Sequence, residues 1–151
     1  MEINYVDGVR NGEDNMYHGN GQIAVNHFYK NGQIVDGTYV DLDSNGEKMG
    51  VFIYKNGKLN GKAFTYYENG QLRSEGNWEN EERHGYWKEY YESGQLRSEG
   101  NWKNEERHGY WKEYYESGQL KSERNYKDGY RLLSKCWEED GNEIGCGNGP
   151  Y

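Results

Sequence analysis

Short segments rich in Tyr, Trp and Val recur along the chain, separated by polar turn residues at near-constant intervals. Asn45-Gly46, Asn56-Gly57, Asn69-Gly70, Ser93-Gly94, Ser117-Gly118, Asp128-Gly129 and Asp140-Gly141 mark the turns, and Asn80-Glu81 and Asn104-Glu105 fill two phases that lack glycine. From Asn45 the steps run 11, 13, 11, 13, 11, 13, 11 and 12 residues. Asn-Gly and Asp-Gly suit two-residue hairpin loops, because both positions take φ > 0 and match the twist of the flanking strands. Turns this regular predict an antiparallel β-meander. No segment between turns reaches the usual helical length. Pro150 lies outside the pattern, so no strand loses a ladder donor.

The pattern is a repeat. Gln71–Gly94 and Gln95–Gly118 agree at 23 of 24 positions, differing only at Glu79 and Lys103. A decayed copy continues through Gln119–Tyr126, and His27–Gly32 echoes Phe52–Gly57 at a spacing of 25. We therefore divide the chain into an N-terminal cap (1–20), an array of about five units (21–141) and a C-terminal cap or tail (142–151). The expected fold class is all-β: an extended antiparallel β-meander of 24-residue hairpin repeats.

Charge proposes a register. With Ser93-Gly94 as a two-residue loop, Tyr91 meets Leu96, Tyr90 meets Arg97, Lys88 meets Glu99 and Trp87 meets Gly100. One face then carries Tyr91, Leu96, Trp87, Gly100 and Trp102, with Gly100 leaving room for an indole to lie over the backbone. The other carries a Lys88–Glu99 pair and a Tyr90–Arg97 contact, each contributing roughly 0.2–1 kcal/mol. The same logic gives Tyr115–Leu120, Tyr114–Lys121 and Lys112–Glu123, and earlier Tyr67–Leu72 and Tyr66–Arg73. Trp111 would face Arg124, where the glycine is lost, which reads as the array fraying toward its end. Glu89 and Glu113 fall on the apolar face, so that face is expected to be a shallow, partly wet groove.

Composition sharpens this picture. Only 32% of residues are hydrophobic but 16% are aromatic, so packing must rest on rings that each bury roughly 150–250 Å². The net charge of −8 disfavours nucleic acid, whose phosphates need Lys and Arg, and anionic membranes; it favours a basic protein. The N-terminal residues, Met1 to Tyr5, have neither a basic start nor an apolar stretch, so a cytoplasmic location is expected. Cys136 and Cys146 lie five residues to either side of Gly141, where a hairpin would bring them together. Reduced thiols are expected ahead of a disulfide in that compartment.

No residues assemble into chemistry. His84 and His108 are one position copied 24 residues apart. Glu81, Glu82, Glu105 and Glu106 sit in copied environments, whereas acid–base catalysis needs carboxylates with unlike pKa values. Asp41, Asp43, Asn45 and Glu47 lack the sixth-position glycine and distal Glu of a calcium loop. No enzyme activity, catalytic residue, metal or cofactor is expected.

The segment Tyr90-Tyr91-Glu92-Ser93-Gly94-Gln95-Leu96-Arg97-Ser98-Glu99-Gly100 resembles the variant MORN repeat. Chains made mostly of this variant are classed as YwqK-like antitoxins of bacterial toxin–antitoxin systems. The resemblance implies a curved single-layer sheet with aromatic stacking along its length. It also suggests an antitoxin or immunity-like inhibitor that binds a protein toxin; a scaffold, with self-association, or a membrane-associated module are the alternatives. Tyr and Arg predominate at binding hot spots, so the expected partner-binding residues are Tyr66, Arg73, Tyr86, Tyr90, Arg97, Tyr110 and Tyr114.

Overall fold

The computed structural model describes residues 3–17, 23–44 and 47–146. The expected turn at Asn45-Gly46 and Pro150 lie outside these residues. The strands are β1 (Ile3–Val6), β2 (Val9–Tyr17), β3 (Ile23–Lys30), β4 (Gln33–Leu42), β5 (Lys48–Lys55), β6 (Lys58–Tyr66) and β7 (Leu72–Glu79). They continue as β8 (Glu82–Tyr90), β9 (Leu96–Lys103), β10 (Glu106–Tyr114), β11 (Leu120–Lys127), β12 (Tyr130–Trp137) and β13 (Glu143–Ile144). These 13 strands of the described residues pair antiparallel in chain order in one open sheet, which does not close on itself. The described residues contain no helix. Residues 3–17, within the expected N-terminal cap, form two strands of that same sheet.

Two loop types generate the alternating 11- and 13-residue steps. At Asn80-Glu81 and Asn104-Glu105 both residues take positive φ, at 52° and 73° and at 51° and 64°. Glu79 faces Glu82 across the first of these two-residue loops. The Ser93-Gly94 loop differs from expectation. Tyr91 N donates to Gln95 O at 2.8 Å and Gly94 N to Tyr91 O at 2.9 Å. The loop thus holds Glu92, Ser93 and Gly94, and of these only Gly94 has positive φ, at 85°. This is the three-residue form, a type I turn closed by a left-handed glycine.

The longer loop moves the register. Lys88 faces Glu99 and Trp87 faces Gly100, as charge required. Glu89 still faces Ser98, but beyond it the pairing shifts by one and Tyr90 faces Leu96 rather than Arg97. Arg97 becomes the extra residue of a β-bulge. The shift recurs at Tyr66↔Leu72 and Tyr114↔Leu120, leaving Arg73 and Lys121 in the same role. The expected Tyr90–Arg97, Tyr66–Arg73 and Tyr114–Lys121 pairs are replaced accordingly, and so are Tyr91–Leu96, Tyr67–Leu72 and Tyr115–Leu120, whose leucines now face Tyr90, Tyr66 and Tyr114.

The core is one ring thick. Among the described residues, the buried apolar ones are Val25, Tyr29, Ala63, Trp87 and Trp111. Trp87 lies over Gly76, not over the Gly100 it faces in register, and Trp111 lies over Gly100. Trp87 Nε1 donates to Asn77 O at 3.1 Å and Trp111 Nε1 to Asn101 O at 2.9 Å. Each indole also meets its neighbour edge-on, Trp78–Trp87 at 5.9 Å and Trp102–Trp111 at 5.3 Å. The glycine therefore belongs to the preceding strand. Arg124 opposite Trp111 causes no fraying: it pairs with Glu113 at 2.8 Å, and β11 to β13 continue the sheet.

The opposite face carries a charge ladder. Glu75, Lys88, Glu99, Lys112, Glu123 and Lys135 face one another in sequence across six strands, β7 to β12. A one-residue slip would set these charges against the tryptophan side, so the ladder holds register. Toward the other end, Asp14 and His27 are buried and face one another. Burial pushes the His27 imidazole down, partly offset by Asp14.

At the C-terminal edge Cys136 and Cys146 are joined by a disulfide, with Cα atoms 5.3 Å apart. This corrects the expectation of free thiols: the turn at Gly141 brings Cys136 opposite Ile144 and fastens the two-residue strand β13. A cross-link closing a loop of about ten residues constrains the unfolded chain by roughly 2.5–3 kcal/mol. Repeats stabilise one another through nearest neighbours, so reduction is expected to release β13 while β1–β12 stay paired. Hydrogen exchange checks this: amides of residues 136–144 should lose protection on reduction, and unchanged protection there would refute it.

Candidate partner-binding site

Alternation along β8 and β10 sets Tyr86, Lys88 and Tyr90, and Tyr110, Lys112 and Tyr114, on the ladder face. The carboxylates join the rings. Tyr86 Oη donates to Glu99 Oε2 at 2.5 Å, Tyr114 Oη to Glu99 Oε1 at 2.7 Å, and Tyr90 Oη to Glu75 Oε1 at 2.7 Å. Glu99 accepts from both sides. Burial opposes its charge, but the two phenols and the Lys88 and Lys112 ammonium groups hold its carboxyl below the usual range.

Burial, and then the carboxylate hydrogen bond, push the Tyr86 and Tyr90 phenols up to about 12, and Tyr114 also upward. A phenol with a raised folded pKa binds its proton more tightly in the fold. Its stabilisation is complete below pH 10 and is lost as pH climbs through about 12. In an alkaline titration followed by tyrosinate absorbance, these phenols should ionise well above the ordinary tyrosine value of 10. Glu99→Gln should bring Tyr86 back toward 10; an unaltered Tyr86 titration would refute the pairing.

The seven expected residues divide between two faces. Tyr86, Tyr90 and Tyr114 form the network above, and Tyr86 and Tyr110 are 48% and 57% exposed. Tyr66 is half-buried, with the Lys48 ammonium 5.6 Å from its ring. Arg73 and Arg97 lie elsewhere, because their bulges turn them to the side of Ser74, Ser98 and Glu89. A hollow of about 320 Å³ is lined there by Thr65, Tyr67, Arg73, Ser74, Glu89, Tyr90 and Arg97. A second, of about 160 Å³, is lined by Glu89, Arg97, Ser98, Arg107, Glu113 and Lys121, among others. These are the polar hollows that Glu89 and Glu113 suggested from sequence.

The tyrosines expected to pair with Leu72, Leu96 and Leu120 have another role. Tyr67 Oη donates to Tyr90 O at 2.7 Å, Tyr91 Oη to Tyr114 O at 2.7 Å and Tyr115 Oη to Trp137 O at 3.0 Å. Each ties its hairpin to the next, and the second Tyr of the Tyr-Tyr pair was the available signal. His84 stands 3.4 Å from Glu79 on the exposed surface. Asp43 Oδ1 accepts from Glu47 N at 2.8 Å, closing its own loop. Among the described residues no three His, Cys, Asp or Glu converge on a metal position.

These hairpins, with a three-residue loop at the middle of each, correspond to a known repeat. Residues 59–80, 83–104 and 107–128 match the MORN repeat variant. Each match spans one strand pair: β6–β7, β8–β9 and β10–β11. No curated protein matches the chain. MORN repeats are in general protein- or membrane-binding modules rather than catalytic ones.

Proposed function

We propose that the MORN-variant array is a protein-binding module whose ladder face engages a partner through Tyr86 and Tyr110. The carrying observation is that these rings hold the same position in adjacent repeats and are 48% and 57% exposed. Lys88 and Lys112 anchor each row in register. Rings presented this way offer contact area at little entropy cost on binding.

In its finer form, the module is an antitoxin or immunity-like inhibitor that neutralises a protein toxin by direct binding. The net charge of −8 supports a basic toxin as partner. Co-expression with the product of the adjacent reading frame tests it. A complex, relief of toxicity, and loss of both in Tyr86→Ala/Tyr110→Ala are the expected results. No complex, or a complex indifferent to both rings, overturns it.

The working compartment is a separate proposal. Cytosolic thiols are kept reduced, so the Cys136–Cys146 bond favours an oxidising compartment over the cytoplasmic one expected from the N-terminus. Alkylation in intact cells decides: two trapped thiols indicate the cytosol, none an oxidising compartment.

A further inference from the structure

Arg73, Arg97 and Lys121 share one position of the 24-residue period, and each is the extra residue of a bulge. They stand on alternate strands, β7, β9 and β11. The Arg73 guanidinium is 5.8 Å from the Tyr67 ring centroid and the Lys121 ammonium 5.4 Å from that of Tyr115. Arg97 and Tyr91 line one hollow. All three rings are fixed by the hydroxyl bonds to the next hairpin. Arg73 and Lys121 thus lie over stationary rings, and Arg97 lines the hollow beside the third.

Their neighbours are already engaged. Arg83 binds Glu105 at 2.8 Å, Arg124 binds Glu113 at 2.8 Å, and Arg107 stacks on Trp111 at 4.5 Å. Arg73, Arg97 and Lys121 are exposed and make no ion pair with any described carboxylate. Positive charge is in excess in both hollows: two cations face Glu89 in the first, and three face Glu89 and Glu113 in the second. This lies in a chain of net charge −8, whose acidic residues Glu68, Glu92 and Glu116 sit in the loops instead.

Spacing selects the partner. Two inter-strand steps place successive cations about 9.5 Å apart. A polyproline II chain advances about 9.3 Å per three-residue turn, so side chains three apart fall on one side at that interval. A β-strand would offer same-side carboxylates at about 6.8 or 13.5 Å, out of step with the row. Prolines also suit an aromatic surface.

We propose that Arg73, Arg97 and Lys121 form a docking row for an acidic polyproline II segment bearing a carboxylate at every third residue, laid across the strands over Tyr67, Tyr91 and Tyr115. Hydroxyls of Thr65, Ser74 and Ser98 line the hollows beneath. The proposal concerns the opposite face from Tyr86 and Tyr110 and does not depend on a partner there.

The test uses the full chain and a fluorescein-labelled peptide of repeating Glu-Pro-Pro, read by fluorescence anisotropy at moderate salt. A peptide of the same composition with its glutamates adjacent should bind about tenfold more weakly. Arg97→Gln, the middle contact, should weaken the periodic peptide by a similar factor, with unchanged circular dichroism. Tyr86→Ala should leave the affinity as it was. Absence of binding, equal binding of both peptides, or full binding by a variant carrying glutamine at all three positions overturns the proposal. So does equal or tighter binding of oligothymidylate or phosphatidylserine vesicles, which would make the row a phosphate reader.

Discussion

Trp111→Ala is expected to cost about 3–5 kcal/mol, within the range for truncating a buried indole. The side chain is 3% exposed. It donates to Asn101 O at 2.9 Å, packs edge-on against Trp102 at 5.3 Å and lies under the Arg107 guanidinium at 4.5 Å. A single sheet has no second layer to settle into the gap. Water would reach Gly100, and Asn101 O would lose its donor. Because each strand leans on its neighbours, the damage should be directional. Amides of β9 to β11 should lose hydrogen-exchange protection while β5 and β6 keep theirs. Urea unfolding gives the magnitude, and a loss below about 1 kcal/mol would show that the indole is not core.

That dependence on single rings explains which parts of the fold were legible in the sequence. The meander could be read because asparagine, aspartate and glycine advertise left-handed loops, and the Lys88–Glu99 and Lys112–Glu123 pairs advertise register. The indole-over-glycine device was equally visible, but its owner was not. Gly76 and Gly100 are both one strand away from Trp87, and only the lean of the ring selects Gly76. The bulge was hidden for a similar reason. Ser93-Gly94 permits a two-residue or a three-residue loop, and the choice moves Arg97 from the tyrosine side to the tryptophan side.

The candidate site suffered most from that one-residue ambiguity. The seven expected binding residues share a single surface under a two-residue loop, and the bulge distributes them over two. The tyrosines remained where alternation put them, since Lys88 and Glu99 fix that stretch. The arginines moved because they sit between the fixed stretch and the loop. The disulfide is a different case: proximity of Cys136 and Cys146 follows from the turn at Gly141, whereas compartment, which argues for free thiols, does not fix pairing. Once β13 forms, the two sulfurs are within bonding reach.

Gly100→Ala carries the second large effect, and its sign is decided by one contact. Alanine in a strand normally gains about 0.5–1 kcal/mol over glycine, from the lower entropy of its unfolded chain. At position 100 the added Cβ would lie 2.3 Å from Trp111 Cδ2 and 2.5 Å from Cε2. The ring cannot withdraw without breaking its bond to Asn101 and its contact with Trp102. Overpacking of this kind costs about 2–3 kcal/mol, which outweighs the gain. Gly145→Ala is the control, since its Cβ would meet nothing within 4 Å, and it should change stability little. The decisive measurement is the double variant. With Trp111 already alanine the clash disappears, so Gly100→Ala should become neutral or mildly stabilising in urea unfolding. If its cost persisted undiminished, the glycine would be required by the backbone alone, and the indole-over-glycine packing would not be what holds successive hairpins together.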